Sequence, residues 1–274
     1  MDFDPETVRE FERDGWNRAA ARYDAAFATA SVQFADALLD AACVAAGTRV
    51  LDICCGTGAA TALAQARGAR AEGLDFSRGM LGVARARHPA IPFHQGDAEA
   101  LAFPDGAPGG GFDAAVSNFG IHHVPRPGLA LAEARRVLRP GARFAFTIWA
   151  APAENIAWKL LFDAVARRGD PRAAKTPPSG GGFASAADAE SALAAAGFAD
   201  IRSAALRGVW RHADGAALIA AFRDGTARTA ATVAAQDPAA LPAIAAEIDA
   251  MAAPFRDAAG IAVPIAAIVA SGRA

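Results

Sequence analysis

The feature that most constrains the fold is an apolar run that ends in a glycine turn, VLDICCGTG at residues 50–58. Large and β-branched apolar side chains favour a buried strand, and Gly56 and Gly58 permit a tight turn in which the backbone approaches a ligand closely. Residues 59–67 then follow helical spacing. Strand, turn and helix in this order predict a βαβ unit that binds a nucleotide-like ligand.

Short apolar runs alternate with helical patterns of about ten residues from this turn onward. After the first strand, the predicted strands are residues 70–75, 91–95, 112–118 and 142–149. Such alternation predicts an α/β fold with a mostly parallel sheet and helices on both faces. Ligands of these sheets bind outside the carboxyl ends of the strands. Polar residues fall at or near four of those ends, namely Asp52, Asp75, Asp97 and Asn118.

The segment before the turn, residues 5–46, has helical spacing, with Trp16 and Tyr23 on one face. Such a segment either packs against the sheet or forms a lid over the ligand turn. Tyr23 combines an aromatic ring with a polar tip and is therefore a candidate for contact with the substrate or for catalysis. We treat residues 1–46 as an N-terminal helical lid.

The C-terminal part carries two alanine-rich helical stretches, residues 213–235 and 238–252, before a final strand at residues 261–270. They are long enough to form a helical insert at about residues 213–254, which would help to wall a substrate pocket. The main domain is accordingly predicted to comprise residues 47–274.

Composition limits the classes of partner. With 274 residues, 53% hydrophobic and 20% charged, the chain can bury one sizeable core. A formal net charge of −2 argues against nucleic acid as a main partner. We find neither a secretion signal nor an uncharged stretch of the roughly 18 residues that a membrane span needs. The three cysteines lack metal-site spacing. These features predict a cytoplasmic monomer or homodimer that acts on a small molecule and holds no metal.

The glycine turn alone does not separate a dinucleotide, a mononucleotide and the adenosine of S-adenosylmethionine. Dinucleotide sites favour a third glycine, and Thr61 stands at that position here. Asp52, just before the turn, would repel a phosphate but tolerate a sulfonium and an amino group. Both residues favour S-adenosylmethionine.

Five motifs occur in an order that resembles class I S-adenosylmethionine-dependent methyltransferases. They are VLDICCGTG (50–58), GLDFS (73–77), GDAEALAFP (96–104), the segment 112–124 that ends in HHV, and LRPGA (138–142). The resemblance covers roughly residues 45–150 and is nearest to the ubiquinone/menaquinone-biosynthesis type. It implies a Rossmann-like sheet and transfer of a methyl group from S-adenosylmethionine to a small organic acceptor.

The resemblance also implies a cofactor site. In chain order it comprises Asp52, Cys54, Gly56, Gly58, Asp75, Phe76, Met80, Asp97, Ala98 and Asn118. The turn residues would hold the methionine end, although Cys54 stands where many relatives have glycine. Asp75 would accept hydrogen bonds from the ribose hydroxyls, and Asp97 with the Ala98 backbone would contact the adenine. Met80 suits either the adenine ring or the core, and Asn118 would face the amino-acid moiety or the methyl group.

His122 and His123 are candidates for a general base, because histidine titrates near neutral pH. Adjacent side chains point in different directions, so at most one is expected to reach the acceptor. A base is needed only if the acceptor loses a proton, since methyl displacement depends mainly on proximity. Candidate acceptor contacts are Trp16, Tyr23, Phe119, Trp149 and Trp158, with Arg126 for an anionic substrate.

Two other classes of function remain open at this point. An NAD(P)-dependent oxidoreductase would require the third glycine and a pyrophosphate site, whereas a non-catalytic S-adenosylmethionine-binding protein would share the whole turn. On the substrate side, Tyr23-Asp24 is not followed by the Met-Asn pair of the quinone-biosynthesis type. Quinone methylation is therefore one option among several.

Overall fold

The computed structural model describes residues 3–106, 111–179, 183 and 185–274. The strands in this part of the chain are β1 (Arg49–Ile53), β2 (Arg70–Asp75), β3 (Phe93–Gln95), β4 (Phe112–Asn118), β5 (Leu138–Trp149), β6 (Ala199–His212), β7 (Arg256–Asp257) and β8 (Gly260–Arg273). They form one sheet of order β3-β2-β1-β4-β5-β8-β6, with β7 paired to β8. Strands β1 to β5 are parallel, and β8 runs antiparallel to β5 and β6. The predicted α/β fold with a mostly parallel sheet is confirmed.

The α-helices of the described residues are α1 (Pro5–Ala26), α2 (Ala28–Ser31), α3 (Ala35–Ala41), α4 (Ala59–Ala66), α5 (Arg78–Arg87), α6 (Pro127–Val137), α7 (Ile156–Arg168), α8 (Ala186–Ala195), α9 (Gly215–Gly225), α10 (Arg228–Ala234) and α11 (Leu241–Met251). Helices cover both faces of the sheet because side chains alternate along each strand. In β1, Val50 packs with α3 and α4, whereas Leu51 and Ile53 pack with α6 and α8. None of the described helices is both long and apolar enough to span a bilayer.

The N-terminal segment divides into parts with different positions. Leu38 and Leu39 of α3 are fully buried against β1, β4 and β5, so α3 belongs to the layer on the sheet. Helix α1 instead lies across the carboxyl ends of the strands. Its Asn17 side chain accepts hydrogen bonds from Ser77 Oγ (2.8 Å) and the Gly79 amide (2.9 Å) at the start of α5. Only α1 is therefore placed to act as a lid.

The predicted helix at residues 213–235 is two helices, α9 and α10. A Cβ atom at Gly225, the last residue of α9, would lie 2.4 Å from Cβ of Phe27. The next residue, Thr226, is extended, with φ −132° and ψ 164°. Close approach to the end of α1 thus ends α9, a tertiary effect that alanine-rich periodicity does not reveal.

Gly58 offers a test of the turn that joins β1 to α4. It precedes α4 with φ +83°, and a Cβ atom there would lie 2.7 Å from the Phe93 ring. We expect Gly58→Ala to lower the free energy of unfolding by roughly 2–4 kcal/mol through left-handed strain and steric overlap. Urea unfolding of the ligand-free protein measures this. Gly82→Ala is the matched control, because no atom lies within 4 Å of a Cβ at Gly82. Equal stability of Gly58→Ala and the wild type would contradict the described turn.

Candidate functional site

A cavity lies where the glycine turn, the ends of β2 and β4, and α1 meet, and it contains about 690 Å³ of space free of protein atoms. Of the residues singled out in the sequence, its wall includes Trp16, Tyr23, Cys54, Gly56, Asp75, Phe76, Met80, Asp97, Ala98, Asn118, Phe119 and His123. The structure thus brings most of the predicted site together at the expected edge of the sheet.

Three predicted site residues lie behind this wall. Asp52 is 1% exposed, and its Oδ2 accepts a hydrogen bond of 2.6 Å from Thr61 Oγ1. Gly58 begins α4 and packs against an aromatic ring. His122 has a buried Nδ1 atom without a hydrogen-bond partner among the described residues. These residues support the turn and the loop rather than contact the cavity.

Asp75 ties the glycine turn to the start of α5. Its Oδ2 accepts a hydrogen bond from the Gly56 amide and its Oδ1 accepts one from the Ser77 amide, each 2.8 Å long. Burial raises the pKa of Asp75 to about 6, against the opposing effect of these amides. At neutral pH the carboxylate is therefore ionised, and its remaining lone pairs can accept hydrogen bonds from a ligand that carries hydroxyl groups.

Asp52 is the second buried carboxyl group at this edge. Burial raises its pKa to about 7; the Thr61 hydrogen bond opposes the rise and the nearby Asp75 charge adds to it. Its Oδ1 atom has no hydrogen-bond partner within the described ranges. A buried carboxyl oxygen without a partner is stabilised by a cation or a donor group, so the site favours a positively charged ligand.

Two residues of the cavity wall have strained backbones. Cys54 and Phe119 follow β1 and β4 with φ angles of +61° and +56°, in the left-handed region that favours glycine. The two turns touch, because a Cβ atom at Gly120 would lie 2.3 Å from Cβ of Cys54. Burial raises the pKa of the Cys54 thiol well above its usual value, so the group is a neutral part of the wall. Such strain is common at functional sites.

Ion pairs line the side of the cavity next to β3. Arg9 of α1 pairs with Asp97 (3.1 Å) and Glu99 (2.8 Å). Arg126, considered from the sequence as a contact for an anionic substrate, instead donates to Glu99 at 2.6 and 2.8 Å. Met80, only 2% exposed, packs against α1 beside them. The guanidinium groups at this site are thus already paired with carboxylates.

The two adjacent histidines were expected to point in different directions. Of the pair, only His123 lies on the cavity wall. Its Nδ1 atom is 3.1 Å from Oε2 of Glu12, and its ring centroid is 4.9 Å from that of Trp16. Burial is the main cause that lowers the pKa of His122 well below its ordinary value. His122 is therefore neutral at physiological pH.

Two of the aromatic candidates lie outside the cavity. Trp149 stacks on Phe119, with ring centroids 4.0 Å apart and planes at 18°. Trp158 lies behind Trp149, with its centroid 4.8 Å away. Both tryptophans pack with the core under the C-terminal helices. They fix the Phe119 ring, which faces the cavity.

Sequence reasoning missed two charged residues of the site, Arg9 and Glu12. They lie seven and four residues before Trp16 in α1. Extension of the helical face of Trp16 and Tyr23 toward the N-terminus would have included both residues. Charged residues do not stand out on a helical face that is recognised by its apolar side chains.

A family model described as "Methyltransferase domain" matches residues 51–146. This part of the chain is similar to methyltransferase domains. The match agrees with the resemblance found over roughly residues 45–150. A demethylmenaquinone methyltransferase from Renibacterium salmoninarum is 42% identical over 106 residues, which are 39% of this chain and 43% of that protein. The chain spans less than half the length of the curated relatives that it matches.

Solved structures support the fold over most of the chain around the segment matched by the family model. The YcgJ protein from Bacillus subtilis is 21% identical, with a TM-score of 0.57 over 88% of this chain and 97% of its own. A phosphoethanolamine N-methyltransferase 2 from Haemonchus contortus, solved with S-adenosyl-L-methionine, is 17% identical with a TM-score of 0.53 and covers 88% of this chain and 52% of its own. The Rossmann-like class I fold thus extends beyond the matched family segment.

Proposed function

We propose that the chain is an enzyme that transfers a methyl group from S-adenosylmethionine to a small organic acceptor. The observation that carries this proposal is a single cavity in which the turn of a methyltransferase domain and Asp75 adjoin the aromatic wall formed by Trp16, Tyr23 and Phe119. The turn side is suited to the methyl donor, and the aromatic side is suited to the acceptor.

The residues present fit S-adenosylmethionine. Nothing lies within 4 Å of a Cβ atom at Gly56, so the turn leaves room for the methionine end. Asp75 offers lone pairs to the ribose hydroxyls, and Asp97 with Ala98 borders the space for the adenine. The unpartnered Oδ1 of Asp52 lies behind the turn and favours a cationic ligand in front of it. These are the roles that the sequence resemblance implies.

The same geometry disfavours a dinucleotide. A pyrophosphate binds at the N-terminus of the helix after the glycine turn, which here is α4. In that helix Thr61 is fully buried and donates its hydroxyl to Asp52. The site thus presents a buried carboxyl group behind the position where a phosphate would lie, and the repulsion disfavours binding.

When bound, S-adenosylmethionine supplies a methyl group on a sulfonium, which passes to the acceptor by displacement and depends mainly on proximity. The side chains of the cavity would hold the acceptor close to the methyl group. Asn118, at the end of β4, is fixed by a hydrogen bond from Thr147 Oγ1 (2.8 Å) and one to the Ser31 carbonyl (3.2 Å). The Tyr23 hydroxyl is 3.2 Å from Ser31 Oγ. Burial raises the pKa of Tyr23 to about 12, so the phenol stays neutral and serves to position ligands.

The acceptor is proposed to be a neutral, mainly apolar molecule with an exchangeable proton. Trp16, Phe119, Val124 and Pro125 give the wall its apolar character, and Arg9 is engaged by acids. A hydroxylated aromatic compound such as a quinol fits this surface. The demethylmenaquinone methyltransferase among the relatives supports that class.

Two measurements test the proposed function. Isothermal titration calorimetry should show binding of S-adenosylhomocysteine and no binding of NAD(P). Incubation with S-adenosylmethionine and a panel of naphthoquinols, phenols and amines should produce S-adenosylhomocysteine with at least one hydroxylated aromatic acceptor. Binding of NAD(P) without S-adenosylhomocysteine would indicate an oxidoreductase. Binding of S-adenosylhomocysteine without turnover across the panel would indicate a non-catalytic binding protein.

The affinity for S-adenosylhomocysteine should depend on pH through Asp75. The hydroxyl groups of ribose bind the ionised carboxylate better than the protonated acid, so binding is strongest above the pKa of about 6. We expect the affinity to fall toward a limit of about tenfold per pH unit below that value. Calorimetry from pH 8 to pH 5 measures this, with Asp75→Asn as the control that lacks this titration. The same pH profile in both proteins would contradict the role of Asp75.

A further inference from the structure

We propose that Glu12 is a positioning residue that holds His123 in the tautomer with a free, basic Nε2 atom facing the acceptor. Glu12 lies on α1 and is 0% exposed, although it is a carboxylate. The inference rests on the proposed function, because it assigns a proton acceptor to the methyl transfer. It goes beyond that function by naming the group that enables His123 to accept a proton.

Glu12 is ionised at neutral pH. Burial opposes its ionisation, but contacts with His123 and Arg228 hold its pKa below the ordinary value. Arg228 Nε donates to Oε1 at 2.5 Å, and Trp16 Nε1 donates to Oε2 at 3.1 Å. An ionised carboxylate only accepts hydrogen bonds, so every group that faces it must present a donor.

This requirement fixes the His123 ring. Its Nδ1 atom is buried, forms no hydrogen bond of normal geometry within the described residues, and lies 3.1 Å from Oε2 of Glu12, so the carboxylate charge acts on it at short range. In a neutral imidazole one nitrogen carries the proton and the other accepts. A proton on Nδ1 faces the carboxylate favourably, whereas a lone pair there would be repelled. The Nε2 atom therefore keeps its lone pair, and the His123 side chain, 23% exposed, belongs to the cavity wall.

The arrangement gives His123 the role of proton acceptor. The proton of the acceptor's hydroxyl passes to Nε2 while the nucleophilic atom activated by this deprotonation, the oxygen itself or the adjacent ring carbon, bonds the methyl carbon. The donor leaves as a neutral thioether with the electron pair of the broken carbon–sulfur bond. The resulting imidazolium lies against the Glu12 carboxylate, which stabilises its charge. Because Glu12 belongs to α1 and Arg228 to α10, the lid and the C-terminal insert must both be in place for this geometry.

The substitution Glu12→Gln tests the role with little change in shape. The charged Arg228 contact favours the amide oxygen at the Oε1 position, which places the NH₂ group beside His123. That group donates to Nδ1 and moves the imidazole proton to Nε2. Long-range ¹⁵N–¹H NMR of labelled protein saturated with S-adenosylhomocysteine should show the proton of His123 on Nδ1 in the wild type and on Nε2 in the variant. Loss of the signal in His123→Gln assigns it.

The kcat of each Glu12 variant should depend on which nitrogen of His123 carries the proton. With the fastest acceptor of the panel, Glu12→Gln should lower kcat about 100-fold, as loss of a general base does, with little change in KM for S-adenosylmethionine. Glu12→Asp, which keeps an acceptor-only group, should retain the Nδ1 proton and recover part of kcat. Glu247→Gln is the matched control, since Glu247 pairs with Arg167 and Arg168.

The outcomes separate the two proposals. A wild-type His123 with its proton on Nε2, or a variant with unchanged tautomer and kcat, would overturn the role of Glu12. A merely structural role would lower stability and cofactor affinity without moving the imidazole proton. The NMR readout needs no acceptor, so a failed acceptor panel counts against the proposed function while the tautomer still decides this inference.

Discussion

Replacement of Asp75 with alanine should weaken binding of S-adenosylhomocysteine about 100-fold. Hydrogen bonds to a charged group contribute roughly 1.5–3 kcal/mol each, and in the proposed site the ribose presents two hydroxyls to this carboxylate. The substitution also removes the acceptor for the Gly56 and Ser77 amides, so the turn loses its fixed shape. A loss of about 3 kcal/mol, or roughly 100-fold in Kd, is therefore a lower estimate.

Calorimetry at pH 8 measures the loss, with two comparisons. Asp36→Ala is a control for removal of a carboxylate, because Asp36 lies on α3 and pairs with Arg67 near the surface. Asp75→Asn should bind more tightly than Asp75→Ala, since its side chain still accepts one amide hydrogen bond. Unchanged affinity of the alanine variant would remove Asp75 from the cofactor site.

Replacement of Asp52 with asparagine should stabilise the ligand-free protein at pH 8. The raised pKa of Asp52, about 7, means that the folded state holds a proton more firmly than the unfolded chain does. For such a group the stabilising contribution is full below the unfolded pKa near 4 and is lost as the pH rises through about 7. Asparagine is neutral throughout and can still accept the Thr61 hydrogen bond. The expected gain at pH 8 is roughly 2–4 kcal/mol.

Thermal unfolding without ligand checks this sign, since the gain corresponds to roughly 5 °C or more in Tm. The difference between the variant and the wild type should shrink as the pH falls from 7 and approach zero below the unfolded pKa near 4, where Asp52 is protonated in both states. A variant that is less stable at pH 8 would show that the carboxylate is stabilised by a partner other than Thr61.

Much of the fold was predictable because its pattern is local. The spans 70–75 and 112–118 were predicted with the bounds that β2 and β4 have, since short apolar runs between turns are typical of buried strands. The carboxyl ends of parallel strands then placed Asp75, Asp97 and Asn118 at one edge. Placing these residues at one edge requires only that the strands be parallel and follow one another along the chain.

The remainder of the site depends on contacts between distant parts of the chain. Glu12 and His123 lie 111 positions apart, and Arg228 lies a further 105 positions along the chain. No periodicity indicates that they meet. Trp149 is an example of the opposite error. Its position at a strand end suggested contact with the acceptor, but its ring packs behind Phe119. Which side of a strand end a ring occupies is decided by packing against other elements.

The anchoring of α1 also bears on turnover. Asn17 binds the first turn of α5, Arg9 pairs with Asp97, and Asp24 accepts a hydrogen bond of 2.6 Å from Thr57 in the glycine turn. The helix is thus held at three points above the space assigned to the methyl donor. Under the proposed function these contacts oppose movement of the helix, so we expect the spent thioether to leave more slowly than the chemical step occurs. A burst of product in the first turnover would then precede a slower steady state.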